Sequence, residues 1–225
     1  EYYGLLTSNN IPDCIIPAPV DTAKFNPCFN YSIDEFFTNS WKGKIVIGMV
    51  ANISPVKSIE TFIKALHIIN KESTNIHFVI IGAHYKSQRK YLAVLKKMTE
   101  NILENNMEFI DSVSDVRPFL KRFDIYVCSS NFESSPISVW EAMSMEKPIV
   151  STDVGDVSQY IKDKSNGFIV DSGDYYMLAK RLMQLAGDKQ LRDNFGKRAR
   201  LVAIDNLDIS VIAKKHVDAY NDVVS

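Results

Sequence analysis

The chain has 225 residues, 46% of them hydrophobic and 24% charged, which is ordinary for a globular protein of one large or two small domains. Its 26 Lys and Arg residues against 27 Asp and Glu residues give a net charge of −1, which argues against nucleic-acid binding. No apolar run approaches the roughly 18 residues that cross a membrane as a helix.

The first 42 residues show little periodicity and hold half of the chain's prolines. These are Pro12, Pro17, Pro19 and Pro27. Because proline fixes its own backbone and disfavours helix in the residue before it, this segment predicts an extended connector. One short strand is expected within it, at 14–16.

Six short apolar runs follow the connector. They occupy residues 44–50, 77–81, 107–110, 125–128, 148–151 and 168–170. Each run is continuous rather than alternating, which is typical of strands buried on both faces of a sheet. Helical patterns separate the first runs, and helices are predicted after Tyr175, at 175–186, 191–202 and about 209–224. The alternation predicts an α/β fold with a doubly wound, Rossmann-like parallel sheet of about six strands.

Two glutamates, Glu133 and Glu141, flank the start of a predicted helix that follows the fourth strand. Ser135 is the expected capping residue and Pro136 the expected first helical residue. Helical side chains lean toward the helix N-terminus, so Glu141 should reach back toward Glu133. The helix is otherwise mostly apolar and should be largely buried. A charge inside it needs a partner, which makes Glu141 a candidate functional residue.

Polar and glycine residues follow the predicted strands at their carboxyl ends, where ligands collect in an open parallel sheet. Asn52 and Lys57 follow the first strand, Gly82 the second and Glu133 the fourth. A helix N-terminus beside a lysine suits a phosphate, so Lys57 is a candidate phosphate ligand. Glu141 can accept hydrogen bonds from the hydroxyls of a ribose, and Glu133 from those of a second sugar. The sequence therefore predicts a site for a nucleotide diphosphate that carries a sugar.

Plainer interpretations stand beside these. Lys57 equally fits a solvated side chain, and Gly82 fits a turn that needs only backbone freedom. Gly155, after the fifth strand, fits either a tight turn or close approach to a phosphate. His84 fits loop surface or a base pocket rather than a metal site, because no second ligand is spaced to help it. The choice of base is expected to depend on the loops near His84 and Val113.

Several segments, taken in order, carry a family resemblance. They are 16–21 with 25–27, 47–50 with 54–57, 78–82, 124–130 with Glu133 and Glu141, 147–155 and 166–170. From Lys44 to about Val202, the chain resembles the donor-binding half of the retaining glycosyltransferases called group one, or family four. That family has the two-domain GT-B architecture, and the resemblance identifies this chain with its carboxyl-terminal half.

Carried over residue by residue, the resemblance implies that Lys57 contacts the diphosphate, Glu141 the ribose and Glu133 the transferred sugar. It also implies that a run of backbone holds phosphate oxygens, at Ser135, Pro136, Ile137 and Ser138. Gly82 and Val113 complete the expected donor site together with Asn52.

Two positions depart from the family's pattern. Asn52 stands where the family usually has arginine, and Ser58 stands where it usually has glycine. Losing the arginine removes one phosphate-binding charge, so donor affinity or donor type is expected to differ from the majority of the family.

The resemblance implies a hexosyltransferase-type glycosyltransferase that moves a sugar from a nucleotide-diphosphate sugar to a hydroxyl acceptor with retention. Cell-surface polysaccharide or glycolipid synthesis is the expected use. Lys57 would neutralise the departing diphosphate and Glu133 would position the sugar, with no metal ion or other cofactor. Three alternatives stay open: a nucleotide-sugar epimerase or a glycogen-type synthase of the same architecture, and a non-catalytic nucleotide-binding module.

Residues 1–42 are expected to be an interdomain connector with a remnant of a preceding domain, 43–204 the donor-binding domain, and 205–225 a helix that packs on a missing amino-terminal domain. That missing domain would hold a saccharide or lipid-linked acceptor, so these residues alone should bind nucleotide weakly without transferring sugar. Three cysteines, without metal-ligand spacing, favour a reduced, cytoplasmic setting. Peripheral association of the full-length enzyme with the inner face of the membrane is compatible with that setting.

Overall fold

A computed structural model describes residues 15–31, 41–72, 75–83, 86–100 and 106–224. Its centre is a sheet of six strands: β1 (Ile45–Val50), β2 (Ile76–Ile81), β3 (Met107–Ile110), β4 (Ile125–Cys128), β5 (Ile149–Thr152) and β6 (Gly167–Val170). The order across the sheet is β3-β2-β1-β4-β5-β6, and every pairing is parallel. This confirms the predicted α/β class and the doubly wound parallel sheet, with strand ends within one residue of those predicted.

Helices connect the strands and cover both faces of the sheet. They are α1 (Ile59–Glu72), α2 (Arg89–Thr99), α3 (Arg117–Arg122), α4 (Ile137–Ser144), α5 (Val157–Tyr160), α6 (Tyr175–Gly187), α7 (Lys189–Leu207) and α8 (Ile209–Val224). Short 3₁₀ turns at Pro55–Lys57 and Lys86–Gln88 precede α1 and α2.

Two apolar cores lie on opposite faces of the sheet. One packs α1 and α6 against the strands, with Phe62 and Leu182 fully buried. The other packs α4 and α7, with Trp140 and Ala203 fully buried. Each large apolar side chain that leaves water contributes roughly 1.5–3 kcal/mol, so both layers stabilise the sheet that carries the strand ends.

The strand order places β1 beside β4 at the centre of the sheet. The chain runs outward to β2 and β3 on one side of this pair and to β5 and β6 on the other. The connections after β1 and β4 therefore diverge to opposite faces, which opens a crevice at the carboxyl ends of these two strands.

The connector joins the sheet domain through the junction between α7 and α8. The backbone N–H of Val20 donates to the carbonyl of Leu207 at 2.9 Å, and the N–H of Ile209 donates to Val20 at 3.0 Å. The side chain of Asp208 accepts from the Thr22 hydroxyl at 2.5 Å. The break between the last two helices thus lies at Asp208, and α8 begins at Ile209, where the sequence predicted the last helix.

The predicted connector meets the sheet domain at Trp41. This residue is buried in the core that contains α4 and α7. The strand expected at 14–16 is absent at Ile15 and Ile16, and Cys14 lies outside the described residues. Within the described parts of the chain, no helix combines the length and apolarity needed to cross a membrane.

Candidate functional site

A cavity of about 490 Å³ opens at the carboxyl ends of the strands, in the crevice between the connections that follow β1 and β4. Nine of the ten site residues predicted from the sequence line it. They are Asn52, Lys57, Gly82, Val113, Glu133, Ser135, Pro136, Ile137 and Ser138. The tenth, Glu141, does not line it. The volume lies within the roughly 300–1,000 Å³ that small-molecule sites occupy.

Lys57 and Glu133 form an ion pair in the wall of this cavity. The Lys57 ammonium lies 2.6 Å from Oε1 of Glu133, with 25% and 13% of the two side chains exposed. The Ser130 hydroxyl donates to the same carboxylate oxygen at 2.7 Å. The pair adds no net charge to the cavity, and it holds both side chains at fixed positions.

Hydrogen bonds from the segment after β4 hold the turn that carries Lys57. The Ser129 hydroxyl lies 3.1 Å from the carbonyl oxygen of Lys57 and 3.0 Å from that of Ser58, and donates to both. The N–H of Asn131 donates to the carbonyl of Val56 at 2.8 Å. The cavity wall is therefore one cross-linked unit built from segments more than 70 residues apart in sequence.

Ser58 has a left-handed backbone, with φ of 46°. This conformation costs a residue with a side chain about 1–2 kcal/mol, whereas glycine adopts it freely. The expected family residue at this position is glycine, and the backbone shows why. Ser58 is buried, and its hydroxyl lies 2.8 Å from that of Thr61, a hydrogen bond that offsets part of the cost.

Gly82 is needed for close packing rather than for unusual backbone angles. A Cβ at this position would lie 1.8 Å from the carbonyl oxygen of Ala51, so no side chain fits between the ends of β1 and β2. The interpretation of Gly82 as a turn residue was therefore wrong. Gly155 has φ of 56° and faces the Ser134 carbonyl, which favours the tight-turn interpretation of that residue.

Ser135 does not cap α4, contrary to the prediction. The helix begins at Ile137, after Pro136, and no side chain caps its first N–H groups. The Ser135 hydroxyl instead accepts from the N–H of Ala18 at 2.8 Å and donates to Asp156 at 2.8 Å. An uncapped helix start that lines a cavity leaves backbone donors available to an anion.

Glu141 lies on the same face of α4 as Ile137 and Ser138, four and three residues earlier. It is half-buried, and its carboxylate has no hydrogen bond or ion pair among the described residues. Burial raises the pKa of Glu141 to about 7, an effect that the positive charge of Lys24 only partly opposes. Glu141 is thus the charged residue that the sequence predicted in a mostly apolar helix, and no protein group that the structure describes donates a hydrogen bond to its carboxylate.

Six further residues of the cavity wall were missed by sequence reasoning. They are Val50, Ala51, Ile81, Ala83, Ser112 and Val116. Their side chains are small or apolar and carry no chemical signal, and only their places at or after the ends of β1, β2 and β3 could have indicated them. His84 lies outside the described residues. Among the described residues, no group of three or more His, Cys, Asp or Glu side chains is arranged to hold a metal ion.

Residues 32–202 match the family model of the glycosyl transferases group 1. The chain belongs to this family. Two curated relatives are similar along most of the chain. Poly(ribitol-phosphate) alpha-N-acetylglucosaminyltransferase of Staphylococcus aureus is 24% identical over 78% of this chain and 35% of its own length. UDP-Gal:alpha-D-GlcNAc-diphosphoundecaprenol alpha-1,3-galactosyltransferase of Escherichia coli is 25% identical over 93% of this chain and 54% of its own length.

Solved structures match the fold of this group 1 glycosyl transferase chain. Anabaena HepE in complex with UDP-glucose superposes with a TM-score of 0.84 at 20% identity, over 93% of this chain and 57% of the other. The C-terminal domain of a Francisella tularensis group 1 protein superposes with a TM-score of 0.74 at 24% identity, over 84% and 99% of the two chains. The chain spans about a third to half of the length of the curated relatives that it matches.

Proposed function

We propose that this chain is the donor-binding domain of a hexosyltransferase-type enzyme that moves a sugar from a nucleotide-diphosphate sugar to a hydroxyl acceptor, with retention at the anomeric carbon. The observation that carries the proposal is the Lys57–Glu133 pair beside the uncapped start of α4, in the cavity at the carboxyl ends of the strands. Family membership supports it, as do the UDP and UDP-glucose complexes solved for Anabaena HepE.

Lys57 is assigned to the diphosphate. An ammonium has three N–H donors, so Lys57 can contact a phosphate oxygen while it keeps its hydrogen bond to Glu133. The uncapped N–H groups of α4 add donors and a partial positive charge on the same wall. These groups stabilise the negative charge that develops on the departing diphosphate. The proposal therefore assigns no step to a metal ion.

Glu133 is assigned to the transferred sugar as a positioning carboxylate. Its Oε1 accepts from both Lys57 and Ser130, which neutralises that oxygen and makes it a poor nucleophile. A carboxylate has two oxygens, so Oε2 is left to accept from a sugar hydroxyl. The acceptor's proton is then assigned to an oxygen of the leaving phosphate. Glu141 is assigned to the ribose, whose hydroxyls would supply the donors that its carboxylate lacks within the protein.

The acceptor is assigned to a part of the enzyme beyond these 225 residues. Helix α8 supports this, because Ile209, Val217 and Tyr220 are each more than half exposed on it and suit packing against another domain. A saccharide or lipid-linked acceptor in cell-surface polymer synthesis fits the names of relatives such as the Staphylococcus aureus capsular polysaccharide glycosyltransferase. A cytoplasmic location at the inner face of a membrane belongs to the same proposal, and the free thiols of Cys28 and Cys128 agree with it.

Thermal unfolding with UDP, GDP and ADP tests the proposal, because a ligand that binds only the folded state raises its stability. We expect one nucleoside diphosphate to raise the unfolding midpoint, and Lys57→Ala and Glu141→Ala to reduce the increase. Lys189→Ala, which removes an exposed lysine of α7, is the matched control. Undiminished binding in both site variants would contradict the assigned site. Robust donor turnover by this chain alone would contradict the assignment of the acceptor elsewhere.

A further inference from the structure

The Ser135 hydroxyl joins three separate parts of the molecule. It accepts from the backbone N–H of Ala18 in the connector at 2.8 Å and from Nε1 of Trp140 in α4 at 3.2 Å. It donates to Oδ2 of Asp156, in the loop after β5, at 2.8 Å. Ser135 also lines the cavity, two residues after Glu133 and two before the start of α4.

The direction of these hydrogen bonds follows from counting donors and acceptors. A serine hydroxyl has two lone pairs and one proton. The N–H groups of Ala18 and Trp140 can only donate, so they occupy both lone pairs. The single proton of Ser135 therefore goes to Asp156, which must accept it.

Asp156 holds the segment before α4 at two neighbouring residues, Ser134 and Ser135. Its backbone N–H donates to the carbonyl of Ser134 at 3.1 Å, and its carboxylate accepts from the Ser135 hydroxyl. The residue is only 6% exposed, and Oδ1 has no hydrogen-bond partner among the described residues. A buried carboxylate with one unpaired oxygen lowers the stability of the folded protein. We therefore expect Asp156 to have a function that offsets this cost.

Asp156 helps to hold the backbone that leads into α4. Helix starts are commonly fixed by a capping side chain, and Pro136, at the capping position of α4, provides none. The backbone is held instead one residue earlier, at Ser135, through its hydrogen bonds to Ala18 and Asp156. A shift of this turn would move the backbone of Ile137 and Ser138, which lines the cavity.

We propose that Ser135 and Asp156 are positioning residues that set the phosphate-binding first turn of α4 and connect it to Ala18 in the connector. The inference rests on the proposed function, because it assigns the diphosphate to this turn. It adds a role for the Ser135 hydroxyl and for Asp156, which act by holding the backbone of the turn rather than by contact with the nucleotide.

A comparison of UDP with uridine separates positioning from general stability. Both ligands carry the base and ribose, and only UDP carries the diphosphate. If Ser135 and Asp156 contributed to stability alone, their loss would lower the unfolding midpoint and leave the ratio of the two affinities unchanged. If they position the turn, the affinity for UDP falls while that for uridine does not.

The experiment titrates the 225-residue chain with UDP and with uridine by NMR, in the wild type and in Ser135→Ala, Asp156→Ala and Asp156→Asn. We expect Ser135→Ala and Asp156→Ala to weaken UDP binding about tenfold, which is the scale of one lost hydrogen bond, with uridine binding unchanged. Asp156→Asn should stay within about threefold of the wild type, because the amide oxygen still accepts the Ser135 proton. Ser158→Ala and Asp171→Ala, at exposed positions, are the matched controls.

The outcomes distinguish failure of the proposed function from failure of the positioning role. If the wild type binds none of UDP, GDP and ADP, the proposed function itself is contradicted, and the positioning role falls with it. If it binds GDP or ADP instead of UDP, the same titrations compare that nucleoside diphosphate with its own nucleoside. If the wild type binds UDP but the ratio of affinities is the same in Asp156→Ala, only the positioning role is contradicted. Hydrogen exchange at the Ala18 amide is a second readout, and we expect it to become faster in Ser135→Ala than in Ser158→Ala.

Discussion

The ammonium of Lys57 lies 2.6 Å from the carboxylate of Glu133, although 76 residues separate them in the chain. The sequence assigns these two side chains to different parts of a donor, the diphosphate and the sugar. The structure brings them together in one wall of one cavity. Each is thus the other's nearest counter-charge, and a change in either affects the stability of the protein as well as its ligand site.

The first prediction concerns the loss of one member of this pair. Lys57→Ala leaves the Glu133 carboxylate, only 13% exposed, without its cation. We expect the free energy of unfolding to fall by about 1–3 kcal/mol, the cost of an uncompensated buried polar group. The double variant Lys57→Ala/Glu133→Gln should recover part of the loss, because it removes the stranded charge. Urea unfolding curves for the wild type, both single variants and the double variant measure the coupling.

An exposed pair with the same geometry is the control for that experiment. Lys189 lies 2.6 Å from Asp193 in α7, with 77% and 50% of the two side chains exposed. Lys189→Ala should cost no more than about 0.5 kcal/mol, as is usual for surface pairs in a helix. Equal losses in the two lysine variants would show that burial of the Lys57–Glu133 pair has no energetic effect.

The second prediction concerns the pH dependence of stability through Glu141. Burial raises the pKa of this carboxyl to about 7 in the folded protein, above its unfolded value of roughly 4.3. The folded state therefore opposes ionisation, and the resulting destabilisation is full above about pH 7 and absent below about pH 4. Glu141→Gln should raise the unfolding midpoint at about pH 8, and the gain should vanish as the pH falls to about 4.

Glu100→Gln, at an exposed position after α2, is the control for the Glu141 titration. It should show no comparable change in the unfolding midpoint between these pH values. A gain from Glu141→Gln that is the same at both ends of the range would show that the substitution acts through packing rather than through ionisation.

The third prediction concerns the junction between the connector and the last two helices. Burial alone would raise the pKa of Asp208, but hydrogen bonds from Ser210 and Thr22 outweigh it and lower the pKa to about 2. A depressed carboxyl pKa stabilises the folded state above the unfolded value of roughly 3.9, and this contribution is lost as the pH falls through about 2. Asp208→Asn should therefore lower the unfolding midpoint at about pH 7, with a difference that shrinks below about pH 4.

The exposed Asp205 of α7 offers the comparison for Asp208. Asp205→Asn should leave the midpoint almost unchanged at neutral pH. If Asp208→Asn were equally neutral, the hydrogen bonds to Ser210 and Thr22 would not hold the connector against the helices.

Periodicity was sufficient to predict the sheet because β1, β2, β4 and β5 are almost wholly buried and read as continuous apolar runs. The edge strand β3 is only partly buried, and its run of four residues is still mostly apolar. Two helices were missed for the opposite reason. α3 and α5 have six and four residues, too few to show a helical period. The order of strands and helices fixes which strand ends share an edge, and it indicated that Asn52, Lys57, Gly82 and Glu133 lie together. Val113 and residues 135–138 of the same cavity wall were expected only from the family resemblance.

The errors at single residues come from contacts between distant parts of the chain. Ser135 has the sequence context of a helix cap, but its hydroxyl bonds to Ala18, 117 residues earlier, and to Asp156. Gly82 has the context of a turn, but the Ala51 carbonyl excludes any side chain there. The residues next to Ser135 and Gly82 in sequence say nothing about these distant contacts. The tertiary structure therefore overrides the local preference of Ser135 for a helix cap and of Gly82 for a turn.

The last prediction concerns Ser130, whose hydroxyl is the second donor to Oε1 of Glu133, at 2.7 Å. Ser130→Ala keeps the ion pair with Lys57 but removes the second hydrogen bond to Glu133. The carboxylate can then rotate about its one remaining hydrogen bond, to Lys57. Because Glu133 is assigned to the sugar, we expect binding of UDP-glucose to weaken by about threefold to tenfold while binding of UDP is unchanged, the scale of one hydrogen bond. Calorimetry with the two ligands measures the ratio. Ser134→Ala, at an exposed position beside Glu133, is the control, and a loss shared equally by UDP and UDP-glucose would assign Ser130 to the general stability of the loop instead.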